Sequence, residues 1–102
     1  MTIKSLLKKK SNWLQGCLAK DKHGAPISIT SGRAVSWCLL GAAMQAYGID
    51  ERSSIAKLGI VIGKRFPRRV GMSTPESIIV DFNNHEKTTF ADIRKIITEA
   101  KV

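Results

Sequence analysis

The sequence predicts a mainly α fold: a compact single domain, residues 1–102, of about four to five helices around a central buried helix, with room for one short extended segment. Three observations point there. Apolar residues recur at three- and four-residue spacing along most of the chain, Thr74-Pro75-Glu76 and Thr89-x-x-Asp92 are helix-start signals, and Arg33 to Gly48 is apolar nearly all round.

Ile3, Leu6, Leu7, Trp13, Leu14, Cys17 and Leu18 keep helical spacing while Lys4, Lys8, Lys9 and Lys20 fall on other faces, so the chain is expected to open with a helix, broken or not at Gly16. Asp21 to Ser28, "DKHGAPIS", is rich in turn formers and reads as a loop that leads into an extended piece at Ile27 to Thr30. Ser31 is expected to cap the next helix. In it Val35, Cys38, Leu39 and Ala42 lie on one side and Trp37, Leu40, Met44 and Tyr47 on the other, and a helix without a polar face belongs in the middle of a fold. Gly48 is placed to end it.

From Glu51 to Lys64 the residues Ile55, Leu58, Ile60, Val61 and Ile62 suit a helix starting at Ser53 or Ser54 better than a strand. "KRFPRRVGMSTP", Lys64 to Pro75, reads as a loop. Thr74 then offers a side-chain cap, Pro75 a first-turn proline and Glu76 an acid at the positive helix end, which predicts a short helix through Ser77 to Phe82. "NNHEK", Asn83 to Lys87, breaks it. Thr89 and Asp92 resemble a capping box ahead of Ile93, Ile96 and Ile97, so the chain should end as an amphipathic helix from Thr89 to Ala100.

The charge is +9 and unevenly spread: residues 1–69 hold 13 Lys/Arg against 3 Asp/Glu, whereas residues 70–102 hold 4 against 5. Such a field favours anionic partners, nucleic acid or an acidic protein surface. Met1 to Lys10 has lysines on both sides of a short apolar patch, the wrong layout for a signal peptide and too short to span a bilayer, so no membrane partner and a cytoplasmic location are expected. Cys17 and Cys38 are too few for a disulfide framework and should be thiols. With His23 and His85 they make no zinc-ligand spacing, and "GIVIGKR" lacks the glycine spacing and the Ser/Thr of a phosphate loop, so neither a metal nor a nucleotide cofactor is expected.

Cys38 has two readings. As a nucleophile it would need His85 as base, Asn83, Asn84 or Asp81 as orienting group, and Gln15 as oxyanion donor. Set about two turns inside a helix beside Trp37, Leu39 and Leu40, it is expected instead to fill the core, and Cys38→Ser to cost about 1 to 3 kcal/mol for burying an unpartnered hydroxyl. His85 reads most simply as a solvated turn residue or a backbone hydrogen-bond partner, and His23 carries less signal still.

The charged segments carry more information. Lys64, Arg65, Arg68 and Arg69 surround Phe66, offering cations with one stackable ring to a phosphate backbone and a splayed base, unless Phe66 is tucked into the core. Lys8, Lys9 and Lys10 form the second cluster, and whether the two share a face is not written in the sequence.

From Trp13 to Lys101 the order of features resembles a family of small uncharacterised bacterial and phage proteins: a Trp ahead of a Gly-containing loop, an A-x-x-W-C-L-x-G-A helix, an aromatic-Asn-Asp turn and a final amphipathic helix. The matching residues are Trp13, Gly16, Gly24, Ala34, Trp37, Cys38, Leu39, Gly41, Ala42, Phe82, Asn83, Phe90 and Ile93. Phe82 stands in place of a Trp and Asn84 in place of the acid. The resemblance implies an intracellular helical domain without an assigned activity.

The expectation is therefore a basic, non-enzymatic module that binds nucleic acid by backbone electrostatics through Lys8, Lys9, Lys10, Lys64, Arg65, Phe66, Arg68 and Arg69. The alternative is a phage or mobile-element interaction factor that inhibits a host enzyme through the same residues, and a cysteine hydrolase stands third.

Overall fold

Thr2 and Ser5 cap each other, the Thr2 hydroxyl accepting the Ser5 N–H at 3.0 Å and the Ser5 hydroxyl the Thr2 N–H at 2.9 Å, which starts helix α1 (Ile3–Leu6). The computed structural model describes residues 1–71 and 73–102. α1 lasts one turn, long enough to bury Ile3 and aim Leu7 inward. The longer helix expected through Leu18 does not form. A single 3-10 turn at Lys10–Asn12 follows, Gly16 adopts φ +98°, and the chain between is drawn out by pairing with a distant segment. Leu14 donates its N–H to the Trp37 carbonyl at 3.1 Å and Leu18 accepts from Cys38 at 3.1 Å.

That pairing culminates in a two-stranded antiparallel sheet, β1 (Ala19–Lys20) with β2 (Ser36–Trp37), Ala19 opposite Trp37 and Lys20 opposite Ser36. Between them the Asp21 carboxylate accepts the N–H groups of His23 and Ala25 at 2.9 and 3.0 Å, an Asx turn of the kind the composition implies. Pro26 also bridges Lys20 and the Ile27 N–H reaches the Ala19 carbonyl at 3.1 Å, so the extended piece expected at Ile27 to Thr30 pairs at its first residue, while Ile29 and Thr30 turn.

Because Ser36 and Trp37 belong to a strand, helix α2 (Leu39–Tyr47) starts later than a Ser31 cap would place it. Ser31 accepts instead from Arg33 at 3.2 Å within a turn. The central position holds: Leu39, Leu40, Gly41, Ala42 and Ala43 are buried in succession, and α2 packs on α1, α3 and α4. A Cβ at Gly41 would lie 2.1 Å from the Leu18 carbonyl oxygen, so the backbone contact between α2 and the strand region requires glycine there.

Helix α3 (Ser53–Arg65) begins where Glu51 accepts the N–H groups of Ser53 and Ser54 at 2.7 and 3.0 Å. It buries Ile55, Leu58 and Ile62 at helical spacing. Lys64 and Arg65 lie in its last turn, and Pro67–Arg69 forms a 3-10 turn; Met72, in the predicted loop, lies outside the described residues. Helix α4 (Pro75–Asn84) carries the expected Thr74 cap, which accepts from Ser77 at 3.2 Å. It runs past Phe82 to take in Asn83 and Asn84, whose amide groups bond to other segments rather than break the helix. Helix α5 (Phe90–Ala100) carries the Thr89–Asp92 capping box and buries Ile93, Ile96, Ile97 and Ala100. α3 packs against both α4 and α5, closing one hydrophobic core around Phe82, Leu39, Leu58 and Ile79. No helix among the described residues is long and apolar enough to cross a membrane.

Candidate functional site

Strand β2 delivers Cys38 to the N-cap of α2, where its extended backbone lets Sγ accept the Gly41 N–H at 3.2 Å. The residue is therefore at a helix N-terminus, not two turns inside the helix. It is nevertheless only 5% exposed. Burial pushes its thiol above the ordinary cysteine range, outweighing the Gly41 and Leu40 N–H groups, and nearby Cys17 adds to the rise. Both cysteines line a small crevice of about 200 Å³ with Gly16, Leu18, Val80, Asn83 and Asn84.

Asn83 and Asn84 share that crevice, but Gln15 and His85, the oxyanion donor and base that a Cys38 nucleophile would call on, are engaged elsewhere. Gln15 donates to the carbonyls of Asn83 and His85 at 2.9 and 3.2 Å, and His85 Nδ1 accepts the Lys87 N–H at 3.1 Å. His23 is exposed in the Asx turn, and Asp81 is exposed on α4. Among the described residues no three His, Cys, Asp or Glu side chains cluster as metal ligands would.

The polar centre is Asn83, read from the sequence as a breaker of the preceding helix, as one candidate orienting group for Cys38 and as one position of the resemblance. Its Oδ1 accepts the Trp13 indole N–H at 2.7 Å and the Leu39 backbone N–H at 2.9 Å. Its Nδ2 donates to the Leu14 carbonyl at 3.0 Å and to Asn84 Oδ1 at 3.1 Å, and that oxygen also accepts the Gly16 N–H at 3.0 Å. Trp13 further packs on Phe90 with ring centroids 6.3 Å apart. Trp13, Gly16, Leu39, Asn83 and Phe90 of the resemblance thus meet at one junction of the N-terminal segment, α2, α4 and α5, whereas Gly24 lies exposed in the Asp21 turn. A signal for it existed in the joint occurrence of Trp13 and Asn83 in that pattern, but neither residue's neighbours hint at a partner 70 positions away.

The cations divide sharply. Arg65 grips Glu99 with Nε within 2.8 Å of both carboxylate oxygens and Nη2 on Oε1, and this contact holds Glu99 below the usual carboxylate range, with Lys95 and Lys64 adding to the effect. Arg69 pairs with Asp92 at 2.9 Å and donates to Thr88 at 3.2 Å. Its guanidinium carbon lies 4.4 Å from the centre of the Phe66 ring, which also stacks on Phe82 at 5.0 Å. Phe66 is therefore half-buried against the core and not free to receive a base. Arg52 pairs with Glu76 at 2.9 Å, and Arg94 donates to the Leu7 carbonyl at 3.0 Å.

Lys8, Lys9, Lys10, Lys64 and Arg68 are exposed and form no ion pair among the described residues. The two clusters border one element. Arg94 of α5 holds the end of α1, from which Lys8 follows, while Glu99 of α5 holds Arg65 beside Lys64, and exposed Lys95 belongs to the same helix.

The model of DUF6197, a family of unknown function, matches residues 3–101, from α1 through α5, and the chain belongs to that family. No curated protein and no solved structure matches it.

Proposed function

We propose that this member of a family of unknown function is a non-enzymatic cytoplasmic module that binds nucleic acid through the phosphate backbone. The observation that carries the reading is the division of its cations. Arg52, Arg65 and Arg69 are matched to carboxylates and Arg94 to backbone carbonyls, whereas Lys8, Lys9 and Lys10 stand together, exposed and unmatched among the described residues. Hydrated lysine point charges suit contacts to phosphate that ignore sequence, while four of the six arginines, whose planar forks could read guanine edges, are engaged with groups of the chain itself. Lys64, Arg68 and Lys95, on and beside α5, extend the proposed footprint.

Arg65, Arg69 and Phe66 take supporting roles in this reading. They fix the segment that carries Arg68 and leave it no ring for stacking, which favours backbone contact over recognition of splayed bases. The test is fluorescence anisotropy with random-sequence single- and double-stranded oligonucleotides between about 50 and 200 mM salt. Binding that weakens steeply with salt and shows no preferred sequence is expected; no binding at the low-salt end would refute the proposal.

A further inference from the structure

Helix α3 turns one large apolar side chain away from the core: Ile60 is 64% exposed. It stands between two shallow grooves. One, of about 380 Å³, is walled by Ala56, Gly59, Gly63, Pro75 and Ile78, and the other, of about 480 Å³, by Val61, Arg65 and Glu99. Lys64 lines both.

Gly63 makes the first groove hard to explain as a by-product of folding. Glycine weakens a helix interior, and a Cβ at this position would meet nothing within 4 Å. Gly59 is different, since its Cβ would come within 3.3 Å of Pro75, so packing of α3 on α4 accounts for it. The missing side chain of Gly63 serves no neighbour among the described residues and leaves the groove open to something outside.

The rim says what that is. Lys57 and Lys64 precede and follow Ile60 by three and four positions, which places all three on one face of α3, and both lysines are exposed. The one acid lining the grooves, Glu99, is already held by Arg65. A second copy of a chain carrying +9 would set lysines against lysines across a two-fold contact. A nucleic acid backbone has no apolar side chain to seat beside Ile60.

We infer that the Ile60 face docks an acidic amphipathic helix of a partner protein. Its apolar side chains fill the grooves on either side of Ile60, and carboxylates about two turns apart pair with Lys57 and Lys64. This surface is distinct from the Lys8–Lys10 cluster and shares only Lys64 with the proposed nucleic-acid footprint.

The test uses the full chain and a fluorescent helical peptide with leucines on one face and glutamates flanking them, beside a control peptide with every glutamate changed to glutamine. The glutamate peptide is expected to bind and to shift the amide resonances of residues 56–64, with affinity down about tenfold or more in Ile60→Glu. Gly63→Ala should weaken binding while raising the melting temperature, a combination that misfolding cannot produce. Equal binding of the glutamine peptide, unchanged affinity in Ile60→Glu, or no binding of the glutamate peptide would overturn the inference. So would a duplex oligonucleotide that shifts residues 56–64 in preference to the peptide, which would assign this face to nucleic acid.

Discussion

The side-chain oxygen of Asn83, in the last turn of α4, accepts the backbone N–H of Leu39, the first residue of α2, at 2.9 Å. One amide thus ties the end of one helix to the start of another. With Trp13, Leu14 and Asn84 on its remaining positions, it also fixes the N-terminal segment across both. A buried amide so fully bonded specifies one arrangement, because every alternative leaves several polar groups dry and unpaired.

Asn83→Ala should therefore cost about 3 kcal/mol, since it strands the Leu39 and Trp13 donors and the Leu14 carbonyl. Asn83→Asp should cost no less, because it sets an oxygen against the Leu14 carbonyl and Asn84 Oδ1. Urea unfolding of both variants checks this, and a loss below about 1 kcal/mol in either would contradict the role given to Asn83.

Cys38 caps α2, so the serine variant gains a partner that the sequence did not reveal. Cys38→Ser should stay within about 1 kcal/mol of the parent because its hydroxyl can accept the Gly41 N–H, whereas Cys38→Val leaves that donor buried and unmet and should cost more. With a thiol reagent, Cys17 should label in the native protein while Cys38 reacts only as the chain unfolds. Fast native labelling of Cys38 would revive the nucleophile reading.

Two helical glycines should respond in opposite ways to alanine. At Gly41 the new methyl meets the Leu18 carbonyl, and overpacking should cost about 2 kcal/mol or more. At Gly63 it enters open space within a helix and should add up to about 1 kcal/mol. Thermal melts of the two variants decide it.

Acid should destabilise the fold. Burial pushes the Asp92 carboxyl up, but Arg69 and the Thr89 N–H bring it to a net value below the usual range, and Arg65 likewise holds Glu99 down. Stability from a depressed carboxylate is present above its unfolded value, about 4, and is lost as pH falls through the lower folded value. Melting temperature should therefore drop as pH falls below about 4, and Arg69→Met should be less stable at neutral pH but lose less on acidification.

Where signals are local, the fold was legible in advance. Thr74-Pro75-Glu76 and the Thr89–Asp92 box start α4 and α5 as expected, and Ser53 starts α3. The errors lie where a distant partner overrules spacing. Trp13 to Leu18 has the rhythm of a helix yet forms none, because its two ends pair with Trp37 and Cys38 around a bend at Gly16, and that same pairing delays α2. The basic surface divides in the same way. Lys8 to Lys10 and the Phe66 loop are visible as charge, but Arg65 and Arg69 find their carboxylates 34 and 23 residues further along, beyond any local pattern.

Lysines that act as phosphate contacts should show themselves in the salt dependence of binding to a random-sequence duplex. The parent protein is compared with a variant carrying Lys8→Ala, Lys9→Ala and Lys10→Ala. Weaker low-salt binding and a log–log slope shallower by about 0.9 for each lysine that meets a phosphate are expected. A variant that keeps the parent's affinity and slope would contradict the account.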